Sequence, residues 1–185
     1  TDALMLSGET ASGKYPLEAV KTMAAIAEQA EKDRNAMGEW EVPMNENCSQ
    51  REFLAHAAID ATRRIGVAGI ITDSLTGETV RHLAAFRGPN PVLAICYKEK
   101  TQRWLNLSYG VIPIHQKEQA SAEYMFIAAL RMLRQKGYIT LDDKIAYLSG
   151  SFGLGNPTGT TLLEINQVSQ VFDKSYEFHL PQKEQ

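Results

Sequence analysis

Residues 67–97, VAGIITDSLTGETVRHLAAFRGPNPVLAICY, contain two short apolar runs separated by a polar loop and a helical pattern. The runs at 67–71 and 91–97 have the length and apolar continuity of buried strands. Residues 72–79 are predicted to form a loop, and a helix is predicted from there to about residue 86. Strand, helix and strand in this order are typical of parallel strands covered by helices.

The same alternation continues on both sides of this stretch. Ser49 and Glu52 have the spacing of a capping box, which predicts a helix to about residue 65. Its inward-facing residues are predicted to be Phe53, Leu54, Ala57, Ala58 and Ala61. Downstream the pattern predicts a short helix at 101–107, a strand at 111–114, a helix at 120–136 that stops at Gly137, a strand at 144–149 and a strand at 160–171.

Only a Gly/Pro loop, residues 151–159, separates the last two predicted strands, so they should be antiparallel. The predicted fold class is therefore α/β: a three-layer α/β/α sandwich with a mostly parallel five-stranded sheet whose last strand is antiparallel. The polar residues 173–185 are expected to fray.

The first 34 residues form a separate pattern. Residues 3–6 are apolar like the end of a buried strand, residues 7–16 are a Gly-rich loop, and residues 17–33 favour a helix. A strand at the very start has no preceding sheet, so we expect the sequence to be a piece of a longer protein. The polar residues 35–48 are predicted to link two domains, at 1–34 and 49–185.

Composition excludes several classes of protein. The chain has 185 residues and a net charge of -3, without the basic surplus that a nucleic-acid or anionic-membrane partner requires. No apolar run approaches the ~20 residues of a membrane span. Its two cysteines, Cys48 and Cys96, are too few for a disulfide-built secreted fold, which favours reduced thiols and a cytoplasmic location. The four histidines are scattered singly, which predicts no metal site.

Two motifs at the front are specific. The stretches 2–11, DALMLSGETA, and 13–20, GKYPLEAV, resemble the pyruvate kinase family, at the last strand, loop and helix of its catalytic TIM barrel. The resemblance implies that Ser7 and Glu9 lie at the mouth of the parent enzyme's active site, where TIM barrels carry their chemistry.

The remainder is similar to the C-terminal domain of the same family, at residues 70–79, 87–94, 103, 109–113 and 149–161. The resemblance implies a parent enzyme that transfers a phosphoryl group from phosphoenolpyruvate to ADP, giving pyruvate and ATP with Mg²⁺ and K⁺. The ligands of these cations, and the catalytic lysine, belong to earlier barrel strands. We therefore expect the chain alone to be inactive and to need the rest of the pyruvate kinase chain.

The family's C-terminal domain often binds an allosteric sugar phosphate or nucleotide. The matching residues here are Thr72, Ser74, Thr76, Gly77 and Thr79, with Gly159 and Thr160 on a loop that closes over the ligand. Hydroxyls and N–H groups at a helix N-terminus suit a phosphate.

Three departures oppose phosphate binding at this loop. Leu75 is an extra residue, and Asp73 and Glu78 place two negative charges near the phosphate. The loop is equally well explained as a solvated turn that caps a helix.

Two other roles stay open. The chain could be a stand-alone module that senses a phosphorylated metabolite, or purely an oligomerisation domain. The last predicted strand alternates apolar and polar residues, and at a sheet edge it would offer unpaired backbone groups to a partner. The family's homo-tetramers meet through C-terminal domains, so we expect a homo-oligomer: a tetramer in the parent and a dimer of this chain.

Overall fold

The computed structural model describes residues 1–36, 42–117, 122–150 and 160–177. The chain divides into two units, Thr1–Pro43 and Met44–Gln185. This division falls inside the predicted linker at residues 35–48. The assignment of the first unit to a catalytic barrel stays a prediction.

The first unit contains the helices α1 (Gly8–Ala11) and α2 (Pro16–Ala36). Pro16 begins α2, where its missing N–H costs no hydrogen bond. The strand predicted at residues 3–6 is wrong for this chain, because these residues form no regular structure and Met5 is 87% exposed. A strand needs a neighbour to satisfy its backbone groups, and the described part of this unit contains only helices besides.

The second unit is built on one sheet of five strands. They are β1 (Gly69–Ser74), β2 (Val92–Cys96), β3 (Val111–His115), β4 (Lys144–Gly150) and β5 (Thr160–Gln167), in the spatial order β3-β2-β1-β4-β5. The first four strands pair in parallel, and β5 pairs antiparallel to β4. This confirms the predicted fold class.

Five helices belong to this unit: α3 (Gln50–Arg64), α4 (Glu78–Ala85), α5 (Glu99–Leu105), α6 (Ala122–Gln135) and α7 (Val168–Glu177). The capping box that starts α3 is confirmed, since the Ser49 hydroxyl accepts from the Glu52 N–H and the Glu52 carboxylate accepts from the Ser49 N–H. Gly137, predicted to stop α6, has the positive φ of 75° that favours glycine after a helix.

The core explains why the central strands are apolar throughout. Side chains alternate along a strand. On one face of the sheet Ile71, Leu93 and Ile95 pack with Leu130 and Leu133 of α6 and with Val168 of α7. Ile70 and Ala94 point to the other face, are also fully buried, and α3 and α4 contact the strands. Parallel strands covered on both faces need continuous apolar sequence.

Several boundaries differ from the predictions. β1 continues through Thr72 to Ser74, so the predicted loop at 72–79 begins too early. The strand predicted at 160–171 ends at Gln167, where α7 begins. Residues 173–177 are therefore helical rather than frayed, whereas residues 178–185 lie outside the described residues.

The inward face of α3 also differs from the prediction. Ala58 and Ala61 are buried as predicted, but Phe53 is 54% exposed, and Ala55, Ile59 and Thr62 are buried in addition. Within the described ranges, no helix combines the length and the apolar character needed to cross a membrane.

Candidate functional site

The predicted effector residues lie where β1 ends and α4 begins. In an open α/β sheet, ligands bind beyond the carboxyl ends of the parallel strands. Ser74 is the last residue of β1 and lies beside Cys96, the last residue of β2. The turn that follows leads directly into the N-terminus of α4, whose N-cap is Gly77.

This turn is held by its own polar groups. The Ser74 hydroxyl accepts a hydrogen bond of 2.7 Å from the Gly77 N–H, and Thr101 of α5 donates one of 2.9 Å to the Leu75 carbonyl. Gly77 has a φ of 82°, and a Cβ there would approach the Leu105 side chain to 3.0 Å. The positive φ therefore favours glycine at this position, and a Cβ would in addition require the Leu105 side chain to shift.

The structure brings together two parts of the predicted site that are far apart in sequence. The Thr79 and Thr160 hydroxyl oxygens are 2.6 Å apart, which joins the first turn of α4 to the start of β5. Ser74 and Thr160 are nearly buried. Gly159 lies outside the described residues.

Thr72 and Thr76 do not join this cluster in the same way. The Thr72 side chain is fully buried within β1, and among the described residues its hydroxyl makes only a long contact of 3.4 Å to the Asp73 carbonyl. Thr76 is exposed on the turn. The hydroxyls best placed at the helix start are therefore those of Ser74 and Thr79.

The two acidic residues of the loop have separate surroundings. Glu78 forms an ion pair with Arg51 of α3. Asp73 lies on the opposite face of β1 from Thr72 and Ser74, because side chains alternate along a strand. Its carboxylate accepts a 2.6 Å hydrogen bond from Ser149 and lies 3.4 Å from the Tyr147 hydroxyl.

Tyr147 and Asp73 line a small space with Ile71, Ile95, Tyr97, Phe126 and Ala129. Burial, and secondarily the Asp73 charge, raise the pKa of the Tyr147 phenol far above its usual range. The phenol is therefore neutral at physiological pH.

Arg51 is the site residue that sequence analysis missed. It lies 27 positions before Glu78 and on a different helix, so no local pattern connects the two. Its guanidinium places a positive charge beside the N-terminus of α4. The only available signal was the capping box at Ser49, which fixes where α3 starts.

In the first unit, Ser7 and Glu9 are brought together by a local turn. The Glu9 carboxylate accepts a 2.9 Å hydrogen bond from the Ser7 N–H, and the Thr10 hydroxyl donates one of 3.2 Å to the Ser7 carbonyl. Hydrogen bonds from its own N–H and from that of Ser7 lower the pKa of the Glu9 carboxyl. Both residues are exposed.

Among the residues that the structure describes, no three His, Cys, Asp or Glu side chains come together in a group suited to a metal ion.

Comparison with known proteins identifies the family. Residues 52–165 match the family model described as "Pyruvate kinase, alpha/beta domain", which is more than half of the chain. The chain belongs to the pyruvate kinase family. The matched region runs from the first turn of α3 into β5, so α7 lies beyond it.

Individual pyruvate kinases agree with this match. The chain is 37% identical to the enzyme of Borreliella burgdorferi over 170 residues, 91% of this chain and 35% of the relative. It is 35% identical to that of Clostridium acetobutylicum over 162 residues, 87% of this chain and 34% of the relative. A pyruvate kinase structure from Cryptosporidium parvum superposes with a TM-score of 0.71 at 25% identity, covering 89% of this chain and 32% of the other.

The chain thus spans about a third of the length of the pyruvate kinases that it matches. The alignment with the Borreliella burgdorferi enzyme covers 91% of the chain, which is longer than the whole stretch from the start of the family match at residue 52 to the last residue. The similarity therefore extends into the residues before α3.

Proposed function

We propose that this chain works as the C-terminal part of a cytoplasmic enzyme that transfers a phosphoryl group from phosphoenolpyruvate to ADP. The observation that carries the proposal is the match of its sheet domain to the pyruvate kinase α/β domain, together with alignments that continue in front of α3. In the whole enzyme, residues 1–34 would complete the catalytic barrel and residues 49–185 would serve regulation and assembly.

Ser7 and Glu9 would then lie at the rim of the active site. Phosphoryl transfer depends on positioning and on neutralising charge with metal ions and cationic side chains. By the family resemblance, the groups that hold Mg²⁺ and K⁺ and the catalytic lysine come from the preceding barrel strands. The 185-residue chain alone is therefore expected to be inactive.

A chimera tests this role. Residues 1–185 would replace the matching third of the Borreliella burgdorferi pyruvate kinase, and pyruvate formation from phosphoenolpyruvate and ADP would be measured. We expect turnover by the chimera and none by the 185-residue chain. A folded chimera without activity, or turnover by the chain alone, would contradict the proposal.

We further propose that the turn between β1 and α4 binds the phosphate of a sugar-phosphate or nucleotide effector. Ser74, Gly77 and Thr79 surround the helix start, and Thr160 lies within hydrogen-bond distance of Thr79. Arg51 offsets the charge of Glu78, and Asp73 lies on the other face of β1. These contacts support binding despite the two acidic residues.

Titration of the chain with fructose bisphosphate, glucose 6-phosphate, ribose 5-phosphate and AMP, followed by backbone amide resonances, tests the effector site. At least one should shift the resonances of residues 74–80, and Thr79→Val should weaken that response. Thr140→Val, an exposed threonine on another turn, is the matched control. No response to any of the four compounds would leave the loop as a simple helix cap.

Self-association is a second candidate function, alongside a stand-alone metabolite-binding module. It is favoured by the position of β5 at one edge of the described sheet, where its outer backbone groups face no other strand. A homo-tetramer of the parent would use this edge, and the chain alone would form a dimer. Light scattering tests this: Glu164→Lys with Asn166→Lys should yield monomers. A parent chain that is monomeric at high concentration would refute it.

A further inference from the structure

A cavity of about 510 Å³ lies between α6 and α7, away from the turn that begins α4. Its volume is within the range of small-molecule sites. It is lined by Arg131, Arg134, Gln135, Leu141, Ser169, Phe172 and Asp173.

Hydrogen bonds and core packing hold the segments that line the cavity. The Val168 N–H donates to the Asp143 carbonyl at 2.9 Å, and the Ser169 N–H donates to the Leu141 carbonyl at 3.0 Å. Val168 is fully buried, and Phe172 packs against the same core as Leu133. The start of α7 is therefore tied to the turn before β4, and both walls of the cavity are preformed.

Its charge is unlike that of the chain as a whole. Arg131 and Arg134 are three residues apart on α6, so they lie on one face of that helix. Within the described part of the chain, neither guanidinium takes part in a hydrogen bond or an ion pair. Among the described residues that line the cavity, Asp173 is the one carboxylate, so together these residues carry a net positive charge on a chain whose net charge is -3.

The cavity lies at the edge of the region that matches the family model, since Arg131, Arg134, Gln135 and Leu141 fall within residues 52–165. The match to the pyruvate kinase α/β domain ends at residue 165, whereas Ser169, Phe172 and Asp173 belong to α7 beyond it.

We propose that this cavity binds a small organic anion whose phosphate or carboxylate group is held by Arg131 and Arg134. A guanidinium presents paired N–H donors that match the oxygen atoms of either group. The Ser169 hydroxyl supplies a further donor, and Leu141 and Phe172 form an apolar wall for the carbon skeleton. Asp173 accepts hydrogen bonds from hydroxyl or ammonium groups of the same ligand.

The test uses the 185-residue chain and two probes of similar size, glycerol 3-phosphate and succinate, with glycerol as the uncharged control. Chemical shifts of backbone amides locate the binding. We expect at least one anion to shift resonances of residues 131–135 and 168–173, and glycerol to shift none. A response to glycerol 3-phosphate alone assigns a phosphate ligand, and a response to succinate alone assigns a carboxylate.

The double variant Arg131→Gln/Arg134→Gln should weaken binding by at least about tenfold, the equivalent of roughly 1.4 kcal/mol. The matched control, Arg64→Gln/Arg103→Gln, removes the same charge from two exposed surface ion pairs and should change the affinity less than about twofold. Thermal unfolding of each variant verifies that it is folded. No shift with either anion, or an equal loss of affinity in both double variants, would overturn the proposal.

Discussion

Ser49 shows how one side chain fixes the start of an element. Its hydroxyl accepts from the Glu52 N–H at 3.2 Å, and the Glu52 carboxylate accepts from the Ser49 N–H at 2.8 Å. Two backbone donors that helix geometry would leave unpaired are thereby satisfied. Because Arg51 is the second residue of α3, the same cap also places the guanidinium that pairs with Glu78.

Ser49→Ala should lower the free energy of unfolding by about 1 kcal/mol, because α3 loses its N-cap acceptor. Urea denaturation measures the change. Ser108→Ala is a suitable control, since the Ser108 hydroxyl makes no hydrogen bond within the described residues. The same hydrogen bonds lower the pKa of Glu52, chiefly through the Ser49 N–H. The stabilisation by the ionised Glu52 carboxylate is present above the unfolded-state pKa of Glu52 and is lost as the pH falls through its folded-state pKa. Equal stability of Ser49→Ala and Ser108→Ala would contradict the capping role of Ser49.

Cys96 makes stability sensitive to alkaline pH. Its side chain is fully buried at the end of β2, and burial raises the pKa of the thiol from 9.0 to about 11. The Cys96 thiol ionises at a lower pH in the unfolded chain than in the folded chain. The stabilisation by the buried neutral thiol is therefore complete below pH ~9 and is lost as the pH rises toward 11, by at most about 3 kcal/mol.

Cys96→Val should remove this part of the pH dependence, whereas Cys48→Ser, at a half-buried thiol, should preserve it. Urea unfolding at pH 8 and at pH 10.5 measures the effect. The two variants are compared with each other at each pH, because their other titratable groups are the same. A thiol reagent should react with Cys48 in the native chain and with Cys96 only after unfolding. Rapid modification of Cys96 in the native state would refute its burial.

At the scale of elements, the second unit was largely predictable from sequence. Short apolar runs bounded by turn residues predicted all five strands, and the short loop before β5 predicted its antiparallel pairing, because each signal is local. The missed features depend on tertiary contacts. Thr72–Ser74 are polar yet extend β1, since pairing with β2 outweighs their loop propensity.

The candidate site shows the same limit. The residues of the β1–α4 turn were recognisable because they are contiguous. Their contacts with Arg51 and Thr160 join segments that are distant in sequence, so only the folded chain reveals them. Alternation of side chains along a strand predicts that Asp73 lies on the opposite face from Thr72 and Ser74. This prediction could be made only if β1 was known to extend to Ser74.

After Gln167 the sequence follows the periodicity of a helix, whereas residues 168–171 were predicted to continue the strand. Val168, Val171 and Phe172 follow the i, i+3, i+4 spacing of a helix face, and they pack against the core beside α6. Val168→Ala should destabilise the chain by about 2 kcal/mol, because Val168 is fully buried where α7 begins. Gln170→Ala, at an exposed position of the same helix, should be nearly neutral. Thermal unfolding compares them, and equal effects would show that α7 does not pack on the core.

At the scale of the whole molecule, the two units differ in how they are stabilised. None of residues 1–34 is buried, and Leu4, Met5, Leu17 and Ile26 all expose more than half of their surface. The second unit holds the entire buried core of the described chain. Helices in proteins owe most of their stability to the packing of an apolar face rather than to intrinsic helix propensity.

Residues 44–185 should therefore fold alone and carry the cooperative unfolding transition of the chain. We expect deletion of residues 1–43 to preserve that transition and to shift its free energy by less than about 1 kcal/mol, since the contacts that offset the chain entropy lie in the sheet unit. Residues 1–43 alone should show partial helicity that melts without cooperativity. Calorimetry and circular dichroism measure both. Loss of the cooperative transition in the 44–185 chain would mean that the first unit is required to complete the core of the second.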